Sequence, residues 1–227
     1  IDAQDRRDAE RAVRASLHEK DVLLKEVHHR VKNNLQLISS LLRLESGRTT
    51  EPTVRTVLGD MQGRILSMAL LHETLYRSSS LAHLNLGQYL STLSQQIFRS
   101  LAPSDRLTLR LELGDAEVEP DQAIPCGLLV NELISNAMKH GFPNGRRGTI
   151  WVRLSRQPAG LRLEVQDNGC GLPADIDARR ASSLGLHLVS VLARQLNGTL
   201  VTTSDNGARF SVDFAARLHT DIPGRPS

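Results

Sequence analysis

A chain of 227 residues is long enough for two modest domains. Forty per cent of its residues are hydrophobic but only 3% are aromatic, so its core must be built from Leu, Val, Ile and Ala. The net charge of +3 is mild, and the basic residues are scattered without interleaved aromatics, which argues against a nucleic-acid platform.

Residues 1 to about 47 read as one long helix. Its first part, Asp2 to Arg14, is charged and poor in apolar residues, like an exposed connector or coiled-coil lead-in. Further on, Leu17, Leu24, Val27, Val31, Leu35, Ile38 and Leu42 fall three, four or seven apart and define a stripe. At roughly 100° per residue, His28 lies about 60° from the centre of that stripe and His29 about 160° away. The register therefore points His29 outward on a rigid helix. Ser46-Gly47 ends the run, and Glu51-Pro52 opens a second helix over roughly 53–78, with Val54, Val57, Leu58, Met61, Ile65, Met68, Leu71 and Leu75 on one face. Two such helices make an antiparallel hairpin, and pairing with a second copy into a four-helix bundle would bury its apolar faces.

Ser78-Ser79-Ser80 reads as a linker and 86–101 as a third helix. The pattern then changes. Residues 106–113 alternate polar and apolar, as a half-buried strand does. Residues 122–140 are helical. Segments 149–155 and 160–166 alternate again around a Pro-Ala-Gly turn, 185–196 is helical, and 199–203 and 208–214 are strands about Asp205-Asn206-Gly207, a hairpin signal. The expected fold is α+β: a dimerising helical hairpin over 1–80, an α/β sandwich over 81–215, and a disordered tail from 216 to 227.

Three constellations carry chemistry. In Asn131-Glu132-Leu133-Ile134-Ser135-Asn136-Ala137-Met138-Lys139-His140, Glu132, Asn136 and Lys139 or His140 share one helix face. A carboxylate and an amide one turn apart can hold a hydrated Mg²⁺ through their oxygens, so Glu132 and Asn136 are candidate metal ligands. Lys139 supplies charge for a phosphate. In Asp167-Asn168-Gly169-Cys170-Gly171, directly after a strand, glycines allow close backbone approach to a flat ligand, and a buried carboxylate can accept from an exocyclic amine such as that of adenine. In Ser182-Ser183-Leu184-Gly185-Leu186, a serine cap and a glycine at a helix N-terminus offer free N–H groups to phosphate. Residues 172–184, with Arg179 and Arg180, suit a lid. Taken singly, the same segments read as a solvated helix, an Asn-Gly turn and a capped helix; their order and spacing together are what is specific.

In that order and spacing the three boxes resemble the ATP-binding domain of histidine kinases and, more widely, gyrase-type ATPases. Upstream, His28-His29-Arg30-Val31-Lys32-Asn33-Asn34-Leu35-Gln36 is similar to the phosphoacceptor helix of the subfamily close to the HWE kinases, and Arg64-Ile65 and His72-Glu73-Thr74-Leu75-Tyr76 match its second helix. The resemblance covers about 20–214. It implies ATP and Mg²⁺ as cofactors, His29 as the phosphorylated histidine and Asn136 as an Mg²⁺ ligand. Glu132 falls at the general-base position of gyrase-type ATPases, and Asp167 would read the adenine amine. Gly169, Gly171, Gly185 and Leu186 would shape the pocket, with Lys139, His140, Arg179 and Arg180 near the phosphates or sugar. The partners implied are a response regulator that receives the phosphoryl group on an Asp, a second protomer, and a sensor domain upstream of Ile1.

Four departures from the pattern stand out. Arg30 follows His29 where the commonest kinase class has an acidic base; Glu26 is the alternative, one turn earlier. No W-x-E occurs near Asp167. Gly207-Ala208 replaces the usual Gly-Thr, losing a hydroxyl near the adenine site. The lid has no Phe-rich segment. Two other readings use the same features: an ATP-driven clamp or Ser/Thr kinase, which needs no outward histidine on a hairpin, and a non-catalytic dimeric scaffold, which needs no intact nucleotide boxes. Cys126 and Cys170, the only cysteines, form no C-x-x-C pair; with no bilayer-length apolar run or signal peptide, the expectation is a cytoplasmic, reducing compartment.

Overall fold

The computed structural model of the chain describes residues 3–77, 84–101, 106–173 and 184–216. The Ser78-Ser79-Ser80 linker, the segment bearing Arg179 and Arg180, and the tail after 216 lie outside them, as do the side chains of His28 and His29.

Helix α1 spans Ala3–Arg48 and α2 spans Pro52–Arg77. Proline opens α2 because its fixed φ suits a first helical turn and its missing N–H is not needed there. The three-residue connection is closed locally: the Glu51 N–H donates to Thr49 Oγ1 (3.3 Å) and the Arg55 guanidinium donates to Thr49 O (2.9 Å). A Lys32–Glu73 ion pair at 3.2 Å fixes the register of the antiparallel hairpin. Three small side chains of the hairpin, Ser39, Ser67 and Ala69, are buried. Val27 and Ile38, assigned to the stripe from their spacing, are instead 54% and 45% exposed. A single partner helix covers a narrower sector than the stripe spans. Outside the stripe, Leu37, Leu41 and Leu44 of α1 and Val54 and Leu66 of α2 are exposed as well.

Beyond the hairpin, a two-residue strand β1 (Leu84–Asn85) leads into α3 (Leu86–Leu101). Asn85 Oδ1 accepts the Gln88 N–H at 3.0 Å, capping the helix, and Leu86, Leu90, Leu93 and Ile97 bury one face at helical spacing. Strands β2 (Leu107–Leu113), β3 (Glu117–Val118), β4 (Gly148–Gln157), β5 (Gly160–Asp167), β6 (Thr199–Thr203) and β7 (Arg209–Phe214) follow, with α4 (Pro120–Asn136) and α5 (Leu184–Gln195) between them. The β1–β3 ladder is antiparallel and two residues long, too short to leave a period in the sequence. The main sheet has order β2-β4-β5-β7-β6; β2 and β4 run parallel and the other neighbours antiparallel.

Alternation sorts the two faces of this sheet. Ile150, Val152, Leu154, Leu161, Leu163, Val165, Phe210, Val212 and Phe214 point into the core shared with α3, α4 and α5. On the other face Arg153 donates to Glu112 (2.8 Å), Glu164 (2.7 Å) and Gln166 (2.8 Å), and lies 5.7 Å from the centroid of the Trp151 ring. The architecture is the expected one, a helical hairpin followed by an α/β sandwich with helices on one face. No helix among the described residues is long and apolar enough to cross a membrane.

Candidate active site

Helix α4 is continued by a π-helical turn, Ala137–Gly141, where the sequence pattern predicts pure α geometry. The wider turn inserts a residue and brings both Lys139 and His140 to the wall of the cavity that Glu132 and Asn136 also line. This cavity, about 900 Å³, is large enough for a nucleotide.

Its floor is built from the β5 end and the loop after it. Asp167 is 4% exposed. Its Oδ1 accepts N–H groups from Gly169 (2.8 Å) and Ala208 (3.2 Å). Burial pushes the carboxyl above its ordinary range, against the lowering effect of those two donors. The loop is pinned to the π turn: the Cys170 N–H donates to Gly141 O at 2.8 Å. A side chain at 169 would put its Cβ 2.2 Å from Gly141 O, so only glycine allows this approach. Gly169 therefore shapes the loop from behind, whereas Gly171, at φ +79°, lines the cavity itself. Val165, Ala208 and Phe210 supply an apolar wall.

Opposite lies the start of α5. Gly185 and Leu186 line the cavity, and a Cβ at 185 would stand 3.1 Å from Glu132 Oε2 and 3.8 Å from both amide atoms of Asn136. Asn136 Nδ2 is buried and without a hydrogen-bond partner among the described residues. A buried orphan polar atom facing a helix N-terminus is what a polar ligand would satisfy. The structure thus brings together Glu132, Asn136, Lys139, His140, Asp167, Gly171, Gly185 and Leu186, with Gly169 behind them. No cluster of three or more His, Cys, Asp or Glu suited to a metal occurs among the described residues. The donor set that does exist, one carboxylate and one amide, fits Mg²⁺, which takes few protein ligands and completes its shell with phosphate and water.

One wall comes from the hairpin; the sequence marked Val57 and Met61 as part of an apolar face and Arg64 as part of the family match, but placed none of them at the site. Val57, Asp60, Met61 and Arg64 of α2 line the same cavity. Arg64 grips Glu132 with two parallel hydrogen bonds, Nε to Oε1 at 2.7 Å and Nη2 to Oε2 at 3.0 Å. The hydrogen bond to Glu132 raises the Arg64 guanidinium, with burial opposing it. Asp60 pairs with Lys139. The side chains of the second pair are about one-third exposed, and such pairs contribute about 0–1 kcal/mol. Of the two pairs, the buried Arg64–Glu132 fork is the stronger hold of α2 on the sandwich, and Leu70 of α2 adds apolar packing against the sandwich core. The spacing 57, 60, 61, 64 was a readable signal, since it marks one helix face carrying two opposite charges.

Residues 26–101 match the histidine kinase family HisKA_2, and residues 121–218 match the histidine kinase-, DNA gyrase B- and HSP90-like ATPase family. The chain belongs to the histidine kinases. It is 35% identical over 188 residues to the sensor histidine kinase PdtaS of Mycobacterium tuberculosis, an alignment that takes in 82% of this chain and 37% of that protein. It is 28% identical over 202 residues to blue-light-activated histidine kinase 2 of Erythrobacter litoralis, covering 86% of this chain and 58% of that one. The solved histidine kinase domain of a blue-light-activated kinase from Erythrobacter litoralis superposes with a TM-score of 0.65 at 27% identity, covering 88% of this chain and 96% of that domain. The chain spans 37% and 58% of the length of these two curated relatives.

Proposed function

We propose that this chain is the catalytic core of a two-component sensor kinase that phosphorylates His29 from MgATP and passes the phosphoryl group to an Asp of a response regulator. The observation that carries the reading is the convergence of Asn136, Asp167 and Gly185 on one cavity of nucleotide size. Asp167 reads the adenine amine, and the apolar wall of Val165 and Phe210 receives the base. Asn136, with Glu132 once Arg64 releases it, would hold Mg²⁺, whose charge would offset that of the phosphates. An amide half-turn presents Oδ1 of Asn136 in place of its orphaned nitrogen. The α5 N-terminus at Gly185 faces the phosphates, and Lys139 and His140 approach them from the π turn.

Transfer to His29 forms a P–N bond as the bond from the γ-phosphorus to the β,γ-bridging oxygen breaks, and ADP leaves with that electron pair. The imidazole attacks through a neutral ring nitrogen, and positioning does most of the work. The exposed apolar side chains of α1 and α2 fit a second copy, giving a four-helix bundle around which the regulator docks in the cytoplasm. The reading is tested with γ-labelled ATP. Wild type and His28→Ala should take up acid-labile, base-stable label, and His29→Ala should take up none. Label that survives in His29→Ala, or is acid-stable, refutes it.

A further inference from the structure

The hairpin meets the nucleotide cavity at the wrong height for transfer. With Lys32 opposite Glu73, position 29 of α1 stands level with about position 76 of α2. Arg64 is twelve residues away, about 18 Å along the helix axis at 1.5 Å per residue. The α2 residues over the cavity are all at or beyond that distance, between Val57 and Arg64, and among the described residues α1 contributes nothing to its lining.

At the same time the contacts occupy two of the cavity's charged groups, Glu132 and Lys139. Both oxygens of Glu132 are taken by Arg64, and the Lys139 ammonium is taken by Asp60. The neighbouring Asn136 Nδ2 is left buried and unpaired. We infer that Asp60 and Arg64 form a latch that parks the ATP-binding sandwich on the lower hairpin, and that latch closure and MgATP binding exclude one another. The inference rests on the nucleotide reading above. The latch substitutes protein charge for ligand charge: a carboxylate stands in for phosphate at Lys139, and a guanidinium stands in for the metal at Glu132. Opening frees both groups and lets the sandwich travel up the hairpin towards position 29. Because the coupling is reciprocal, nucleotide must weaken the latch as much as the latch weakens nucleotide binding.

The discriminating variant is Arg64→Gln in the full chain. If Arg64 were simply a phosphate ligand, removing its charge would weaken nucleotide binding. If it is a latch, binding tightens, because the competent open form is no longer a minor one. A fluorescent ATP analogue with Mg²⁺ should bind Arg64→Gln about tenfold more tightly than wild type, and Asp60→Asn should shift it in the same direction by less. Spin labels at positions 54 and 201, both exposed, in a Cys170→Ser background should report a distance that MgATP changes. Unchanged or weaker binding by Arg64→Gln, or a distance indifferent to MgATP, overturns the latch while leaving the nucleotide reading intact. Failure of every form, wild type included, to bind nucleotide overturns both.

Discussion

Asp167 and Ala208 hold each other twice. The Asp167 N–H donates to Ala208 O at 2.9 Å, and the Ala208 N–H donates to Asp167 Oδ1 at 3.2 Å. One carboxylate oxygen is thereby committed to the loop; the other accepts no hydrogen bond among the described residues and is left for a ligand.

The first prediction concerns that division of labour. Asp167→Asn keeps an acceptor for the two N–H groups but removes the charge offered to the adenine amine. Loss of a charged hydrogen bond costs about 1.5–3 kcal/mol, so ATP affinity should fall by at least tenfold in a nucleotide titration.

The same variant has a signed pH dependence. A carboxyl raised on folding contributes stability that is fully present below its unfolded value and lost as pH rises through its folded one. At neutral pH the buried carboxylate of Asp167 is thus a cost. Asp167→Asn should melt higher than wild type at pH 7, with the gain shrinking as pH falls towards about 4. A gain that grows on acidification would contradict the burial argument.

Two glycines should fail differently. At Gly169 an added Cβ would meet the Gly141 carbonyl at 2.2 Å, backbone that cannot yield cheaply. Gly169→Ala should lower stability by about 1–3 kcal/mol in denaturant unfolding and abolish nucleotide binding with it. At Gly185 the nearest atom is the end of the Glu132 side chain at 3.1 Å. Gly185→Ala should unfold nearly as wild type does while binding nucleotide less well.

The open face of the hairpin makes its own forecast. Leu41 and Leu44 are 55% and 65% exposed. If a second copy covers them, Leu41→Glu should yield monomers in sedimentation equilibrium with unchanged helix content. A wild type that sediments as a monomer would rule out the bundle.

Much of this was legible in the sequence because it is periodic or punctuated. The alternation in β2, β4, β5 and β7, the Asp205-Asn206-Gly207 hairpin and the start of α2 at Pro52 all fall where local rules put them, and α1 ends one residue past the expected Gly47. The boxes around Asn136, Asp167 and Gly185 could be read because each needs a residue type that few others replace. What escaped was contact between distant segments. Nothing near Arg64 in sequence shows that its partner is Glu132, 68 positions on. The stripe on α1 came out too wide, since period identifies an apolar face but not how many neighbours cover it. The π turn left no mark because its residues suit an α-helix equally well.

That turn gives the site a sensitivity to the number of residues, separate from their kinds. A π turn is an α-helix carrying one residue too many. Removing a single residue between Asn136 and Gly141 would let the helix relax to ordinary geometry with little change in the direction of the chain beyond it, and the narrower turn would no longer present both Lys139 and His140 to the cavity. A one-residue deletion there should be more damaging than most substitutions at the same five positions, and chains sharing this cavity should keep the count across the turn even where they change its letters.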